Sequence, residues 1–124
     1  MNRLFALSGA LVTVPCGLGI RALFDGAAAK YAGVALWATL VFFLIVLVKP
    51  ELSWRRAFVV CVGISFVVEF LQLTPGPMAL YRVHPAFALV FGTTFNGPDL
   101  PAYVVGAGVG ALVWYFRARR APRP

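Results

Sequence analysis

The sequence predicts an all-α membrane protein with four transmembrane helices, and three observations lead to this prediction. Hydrophobic residues make up 61% of the 124 residues, charged residues only 12%, and the mean hydropathy is +0.88. A soluble domain is about half apolar and about a quarter charged, so this chain has too few charges to cover a surface that faces water. Four apolar runs of about 17–18 residues approach the length with which a helix crosses the hydrocarbon core. The alternating pattern of a membrane β-barrel is absent.

The first two predicted helices cover about residues 4–20 and 31–48, and Lys49-Pro50 follows the end of the second. A signal peptide cleaved after Ala29 is the alternative interpretation of the first run. Arg21 and Asp25 argue against it, because they fall where the cleavage region should be neutral.

The last two predicted helices, about residues 57–73 and 100–116, flank an unusual loop. This loop contains "HPAFALVFGTTF", which is too short to span a membrane and too apolar to lie in water. We predict a short re-entrant or interfacial helix there, ended by Gly92. The alternative is an ordinary loop folded over the helix ends. Residues 1–116 are expected to form one domain, and residues 117–124 a basic, disordered cytoplasmic tail on anionic headgroups.

The distribution of positive charge predicts the orientation in the membrane. Of the 11 Lys and Arg residues, only Arg21, Lys30 and Arg82 lie in the first and third loops. The others lie at the N-terminus, in the second loop or in the tail, so the positive-inside rule places both termini in the cytoplasm. We therefore predict a multi-pass protein of the cytoplasmic membrane whose partners are membrane lipids, with a membrane protein or a second copy as further candidates. Nucleic acid is not an expected partner, because the basic residues border apolar spans.

Metal and cofactor chemistry are not expected. Cys16 and Cys61 both fall inside apolar runs, and the one histidine, His84, has no second ligand at a suitable spacing. The thiols are better explained as small apolar groups in helix packing.

Polar residues gather near the predicted outer ends of the helices. Glu69 and Gln72 are three residues apart and share a helix face, and Tyr103 lies one turn below Asp99. The candidate functional cluster comprises Glu69, Gln72, Arg82, Asp99, Tyr103, Lys30, Arg21 and His84.

Two interpretations of this cluster stay open. Opposite charges can hold helix ends in register, and Asp99 is a suitable cap for the fourth helix. An acid that faces the interior of a membrane bundle is, on the other hand, a functional candidate. Glu69 fits either interpretation.

Small residues recur at steps of four in the last predicted helix, at Ala102, Gly106 and Gly110. This ladder allows another helix to approach closely, either inside the bundle or between protomers.

Three stretches, "AKYAGVALWATLVF", "VEFLQL" and "ALVFGTTFNGPDLPAYVVGAGVGALV", resemble a bacterial domain-of-unknown-function family of small four-helix membrane proteins. Residues 66–112 also resemble the VanZ-like proteins linked to teicoplanin resistance, in the order E-F-L-Q, R, F, D-x-x-A-Y-x-x-G. This chain has Gly33-Val34 where the first family usually has a glycine–aspartate pair, and further acid and asparagine positions of VanZ-like proteins have no counterpart in its third loop. The polar positions that the resemblance implies are Lys30, Tyr31, Glu69, Gln72, Arg82, Phe95, Asp99, Tyr103 and Gly106.

The sequence discloses no reaction. The leading hypothesis is a non-enzymatic membrane protein whose outward-facing polar cluster recognises a lipid headgroup, an envelope precursor or a membrane partner. A small membrane enzyme or proton-coupled carrier is the alternative, with Glu69 titrating beside Asp99 or His84. No nucleophile–base pair supports the enzyme. A structural subunit of a membrane complex is the third hypothesis.

Overall fold

The computed structural model describes residues 2–120, and all regular secondary structure in that range is helical. Three helices are long and apolar enough to cross a membrane, and each has 22 residues. In chain order the helices are α1 (Asn2–Leu23), α2 (Ala27–Val48), α3 (Trp54–Leu71), α4 (Gly76–Val83), α5 (Phe87–Phe91) and α6 (Asp99–Arg120). The three candidate spans are α1, α2 and α6.

Helices α3 and α4 meet at an angle of 80°, and together they are apolar enough to count as one broken span or as a re-entrant loop. The number of candidate spans is therefore three, or four if this pair is included. The Ser53 hydroxyl caps the start of α3 by accepting a hydrogen bond from the Arg56 backbone N–H at 3.3 Å. The break follows from Pro75, because proline lacks an N–H and restricts the residue before it.

Helix α2 is the centre of the structure, since it packs against α1, α3 and α6, and α6 also packs against α3. The core between these helices combines small and aromatic side chains, among them Ala38, Phe42, Cys61 and Ala107. Helices α4 and α5 pack mainly against each other. They form a flap beside one end of the four longer helices.

The small-residue ladder of α6 faces α2 within the same chain. A Cβ atom on Gly106 would collide with the backbone carbonyl of Ala35, and one on Gly110 would lie 2.6 Å from the ring of Phe42. The Thr39 hydroxyl donates a hydrogen bond to the Gly106 carbonyl at 2.8 Å across this contact. Ala102 is partly buried against the same core. The ladder was predicted to contact a helix either of the same bundle or of another protomer. In the structure it contacts α2 of the same bundle.

The helix boundaries differ from the predicted ones mainly at the chain's basic end. Helix α6 continues to Arg120, so residues 117–120 are helical and not part of a disordered tail, while residues 121–124 lie outside the described part of the chain. Arginines in a last turn interact favourably with the helix dipole, and Arg119 Nη1 donates to the Tyr115 hydroxyl at 3.1 Å. The third loop contains two short helices, not one, and the second ends at Phe91 with Gly92 as its C-cap.

Candidate functional site

Glu69 is fully buried at the end of α3, with 0% of its surface exposed. Its Oε1 atom accepts a hydrogen bond from the Asn96 backbone N–H at 2.6 Å, and its Oε2 atom accepts one from the Tyr103 hydroxyl at 2.6 Å. These bonds offset part of the cost of removing a carboxyl group from water. Glu69 therefore joins α3 both to α6 and to the loop that precedes α6.

Asp99 is the first residue of α6 and is 8% exposed. Its Oδ1 atom accepts a hydrogen bond from the Asn96 side-chain amide at 2.9 Å, and its backbone N–H donates to the Asn96 carbonyl at 3.0 Å. A carboxylate in a first turn also interacts favourably with the helix dipole. Asn96 thus connects the two acids, because its backbone binds Glu69 and its side chain binds Asp99.

Gln72, the C-cap residue of α3, fixes the position of the flap. Its Nε2 atom donates a hydrogen bond to the Phe91 carbonyl at 2.5 Å. The next residue, Gly92, has no side chain that would collide with this amide. The rings of Phe70 in α3 and Phe95 in the following loop stack, with centroids 5.8 Å apart. The end of α3 therefore holds α5 and the following loop over the end of the bundle.

A cavity of about 500 Å³ lies under this loop, and we call it the polar pocket. The rings of Trp37 and Tyr103 pack in its wall with centroids 5.5 Å apart. Five residues of the predicted cluster line the polar pocket, whereas Glu69 lies behind its wall. The lining residues are Arg21, Lys30, Val34, Trp37, Val68, Gln72, residues 88–96, Asp99 and Tyr103.

The two cations of the polar pocket come from the exposed ends of α1 and α2. Arg21 lies against Gly33, where a Cβ atom would come within 2.8 Å of its Nε atom. The Lys30 ammonium lies 5.5 Å from the centroid of the Tyr31 ring. Both cations and Asp99 also line a neighbouring recess of about 360 Å³. The pocket therefore has positive charge on the α1–α2 side and an acid on the α6 side.

Two residues of the predicted cluster, Arg82 and His84, do not line the polar pocket. Both are exposed, Arg82 in the last turn of α4 and His84 as its C-cap. The His84 Nδ1 atom accepts a hydrogen bond from the Ala86 backbone N–H at 3.1 Å. They are separated from the other members because α4 turns sharply away from α3.

Sequence reasoning missed two residues of this site. Asn96 bridges both acids, and its signal was the turn sequence Asn-Gly-Pro just before Asp99, since Asn is favoured where a side chain bonds nearby backbone or capping groups. Trp37 lines the pocket, but it lies inside a continuous apolar run, and nothing in that run distinguishes it.

A second cavity, of about 300 Å³, is open and almost entirely apolar, and we call it the apolar groove. It runs between α1 and α2, and α5 covers one end. It shares Arg21, Trp37, Leu89 and Val90 with the polar pocket. The lining residues are Thr13, Val14, Gly17, Leu18, Arg21, Gly33, Leu36, Trp37, Leu40, Val41, Leu44, Leu89 and Val90.

The polar pocket contains groups that can form hydrogen bonds and ion pairs with a ligand. The polar pocket offers two cations, side-chain amides and hydroxyls. Within residues 2–120, no three His, Cys, Asp or Glu side chains are placed to hold a metal ion. Cys16 is exposed, and Cys61 is buried with its thiol donating to the Ala38 carbonyl at 3.2 Å.

Comparison with known proteins gives one match. A family model described as "Protein of unknown function (DUF2809)" matches residues 23–107, a range that includes Lys30, Glu69 and Asp99. No curated protein and no solved structure is significantly similar to the chain. The match bears on the first of the two resemblances, and the likeness to VanZ-like proteins stays a prediction from residues 66–112.

Proposed function

This chain belongs to the DUF2809 family, and we propose that it is a multi-pass protein of the cytoplasmic membrane whose polar pocket binds the anionic headgroup of a membrane lipid. In this proposal the chain crosses the bilayer four times, with the broken α3–α4 pair as the third crossing. Both termini face the cytoplasm, and the α4–α5 flap lies at the outer surface.

The orientation is supported by charge. Lys49, Arg55 and Arg56 border the α2–α3 connection, and Arg117, Arg119 and Arg120 lie in the last turn of α6. That end of the bundle is therefore rich in bases, as the cytoplasmic side of a membrane protein is. In this orientation the polar pocket, at the opposite end, faces the headgroups of the outer leaflet.

The single observation that carries the binding proposal is the combination of side chains in one cavity. Arg21 and Lys30 line the polar pocket together with Gln72, Asn96 and Asp99. Guanidinium and ammonium groups bind phosphate oxygens, and the amides and the carboxylate suit the hydroxyl groups of a polar head. A position at the membrane surface gives lipid headgroups direct access to the pocket.

In this proposal Glu69 is a positioning residue. Both of its carboxyl oxygens accept hydrogen bonds from this chain, and the side chain is fully buried behind the pocket wall. An acid–base group needs to reach a reacting atom, so the arrangement gives less support to the enzyme or proton-coupled carrier in which Glu69 titrates. Glu69 instead holds Asn96 and Tyr103 where they line the cavity.

A test uses the purified protein and two lipids with the same chains, phosphatidylglycerol and phosphatidylcholine. Their binding is measured by native mass spectrometry from detergent micelles. We expect preferential binding of phosphatidylglycerol. A basic residue near an anionic surface contributes about 1 kcal/mol, so Arg21→Gln and Lys30→Gln should each weaken binding about fivefold.

Arg82→Gln is the matched control. It removes the same charge from an exposed position outside the pocket, so binding should stay at the wild-type level. The proposal fails if Arg82→Gln weakens binding as much as the pocket variants do, because general surface charge then explains the preference. It also fails if the lipid preference is absent. Co-purification of a stoichiometric protein, with no lipid preference, would favour the structural subunit.

A further inference from the structure

We infer that the ligand of the polar pocket is a phospholipid of the outer leaflet, with its phosphate beside Arg21 and one acyl chain in the apolar groove between α1 and α2. This inference rests on the proposed headgroup site and names the second half of its ligand. A headgroup alone needs only the polar pocket, whereas an intact phospholipid needs a path for its chain.

A path for the chain is available because the two cavities adjoin. Arg21, Trp37, Leu89 and Val90 line both of them. Arg21 is the one charged residue of the apolar groove, and it lies where the groove meets the polar pocket. In a phospholipid the phosphate lies between the polar head and the chains. The two cavities present hydrogen-bonding groups first, then a cation, then an apolar wall. A phospholipid has the matching sequence of a polar head, a phosphate and an acyl chain.

The length of the groove fits one acyl chain. Its α1 wall extends from Arg21 to Thr13, and its α2 wall from Gly33 to Leu44. At about 1.5 Å per residue these walls are roughly 12 and 16 Å long. One leaflet supplies about half of the roughly 30 Å hydrocarbon core. The groove therefore follows a chain from the headgroup level toward the middle of the bilayer.

The groove exists partly because Gly17 has no side chain. A Cβ atom at Gly17 would meet only Leu36, at an ordinary contact distance of 3.8 Å. The Cβ atom of Gly17→Leu therefore collides with nothing, and the rest of the side chain is added at the groove. Gly19, on the same helix, does not line the groove, and a Cβ atom there would meet nothing within 4 Å. Gly19→Leu is the matched control, with the same change in helix propensity.

The experiment measures two ligands on the purified protein. One is phosphatidylglycerol with long chains, and the other is water-soluble glycerol 1-phosphate, which has the head but no chain. Gly17→Leu should weaken binding of the lipid about fivefold, because in an apolar medium the chain binds through dispersion contacts. It should leave binding of glycerol 1-phosphate unchanged. Gly19→Leu should change neither, and Lys30→Gln should weaken both.

The outcomes separate this inference from the headgroup site itself. If Lys30→Gln weakens both ligands while Gly17→Leu changes neither, the headgroup site stands and the acyl-chain assignment is overturned. If Lys30→Gln changes neither ligand, both proposals fail. If Gly17→Leu and Gly19→Leu weaken lipid binding equally, the groove makes only ordinary contacts with surrounding lipid.

A second measurement needs no variant. Phosphatidylglycerol with a photoreactive diazirine in one chain is added to the wild-type protein, and the labelled residues are identified by mass spectrometry. Labelling should concentrate on groove residues such as Leu18, Leu40 and Val41. Labelling spread evenly over the exposed apolar faces of α3 and α6 would contradict the inference.

Discussion

Gly106→Ala is the substitution that should most disturb the packing of this protein. Gly106 lies in the middle of α6, where the backbone of α2 approaches it directly. An added Cβ atom would fall on the Ala35 carbonyl, and a backbone carbonyl cannot rotate away as a side chain can. The two helices would have to separate, and the hydrogen bond from Thr39 to the Gly106 carbonyl would lengthen or break.

The expected loss of stability follows from three contributions. Overpacking a tight contact costs roughly 1–3 kcal/mol. A hydrogen bond between membrane helices contributes about 0.6 kcal/mol on average, and up to about 1.7 kcal/mol. Replacing Gly by Ala in a helix returns up to about 1 kcal/mol. Gly106→Ala should therefore lower the free energy of unfolding by about 2 kcal/mol.

Gly108→Ala is the control, because a Cβ atom at Gly108 meets nothing within 4 Å. It should leave stability unchanged or raise it by up to about 1 kcal/mol through helix propensity. Gly110→Ala should fall between the two, since the ring of Phe42 can move. The assay is unfolding in mixed micelles with increasing SDS, followed by circular dichroism. Equal midpoints for Gly106→Ala and Gly108→Ala would refute the packing that the structure describes.

Three further substitutions test the site. Tyr103→Phe removes one of the two hydrogen bonds to the buried Glu69 carboxyl, so it should lower the free energy of unfolding by about 1–3 kcal/mol in the same assay; no change would mean that the phenol does not support this group. Gly33→Ala should displace the Arg21 guanidinium but not the backbone, and we expect weaker phosphatidylglycerol binding with near wild-type stability. An unchanged affinity would mean that Arg21 does not contact the ligand. Gly92→Ala places a side chain at a φ of +66° and ψ of −169°, at a cost of about 1–3 kcal/mol. Hydrogen exchange should become faster in the loop before α6, and unchanged exchange would contradict this expectation.

The helices were largely predictable from sequence because their signals are local. An apolar run identifies a helix, and the predicted ends of the second helix and of α2 coincide at residue 48. The predicted third helix continued to residue 73, whereas α3 ends at Leu71. The two residues between these ends, Gln72 and Leu73, form a turn in the structure. Hydropathy reports burial in lipid and does not report where the hydrogen-bonding pattern stops.

The site was predictable only where helix periodicity carried the information. The sequence groups Gln72, Asp99 and Tyr103, and the three residues line one pocket. The sequence groups Arg82 with them because the positive-inside rule assigns its loop to the same side of the membrane. The loop in which a residue lies does not determine where its side chain points. The 80° turn before α4 depends on tertiary structure, so sequence alone does not predict it. The Asn96 backbone N–H that binds Glu69 comes from a loop residue 27 positions away. Helix periodicity does not predict a contact between residues so far apart in sequence.

If the polar pocket binds a headgroup as proposed, the distribution of charge around it restricts which headgroups fit. Arg21 and Lys30 approach from α1 and α2, while Asp99 lies on the α6 side, with Glu69 behind it. In this proposal the phosphate pairs with the two cations, and the hydroxyl groups of the head face Asp99. The part of the head that reaches Asp99 must then donate a hydrogen bond, because a second anionic group there would meet a carboxylate. A phosphate that carries hydroxyl groups satisfies both sides at once, which is why glycerol phosphate is the appropriate headgroup with which to begin.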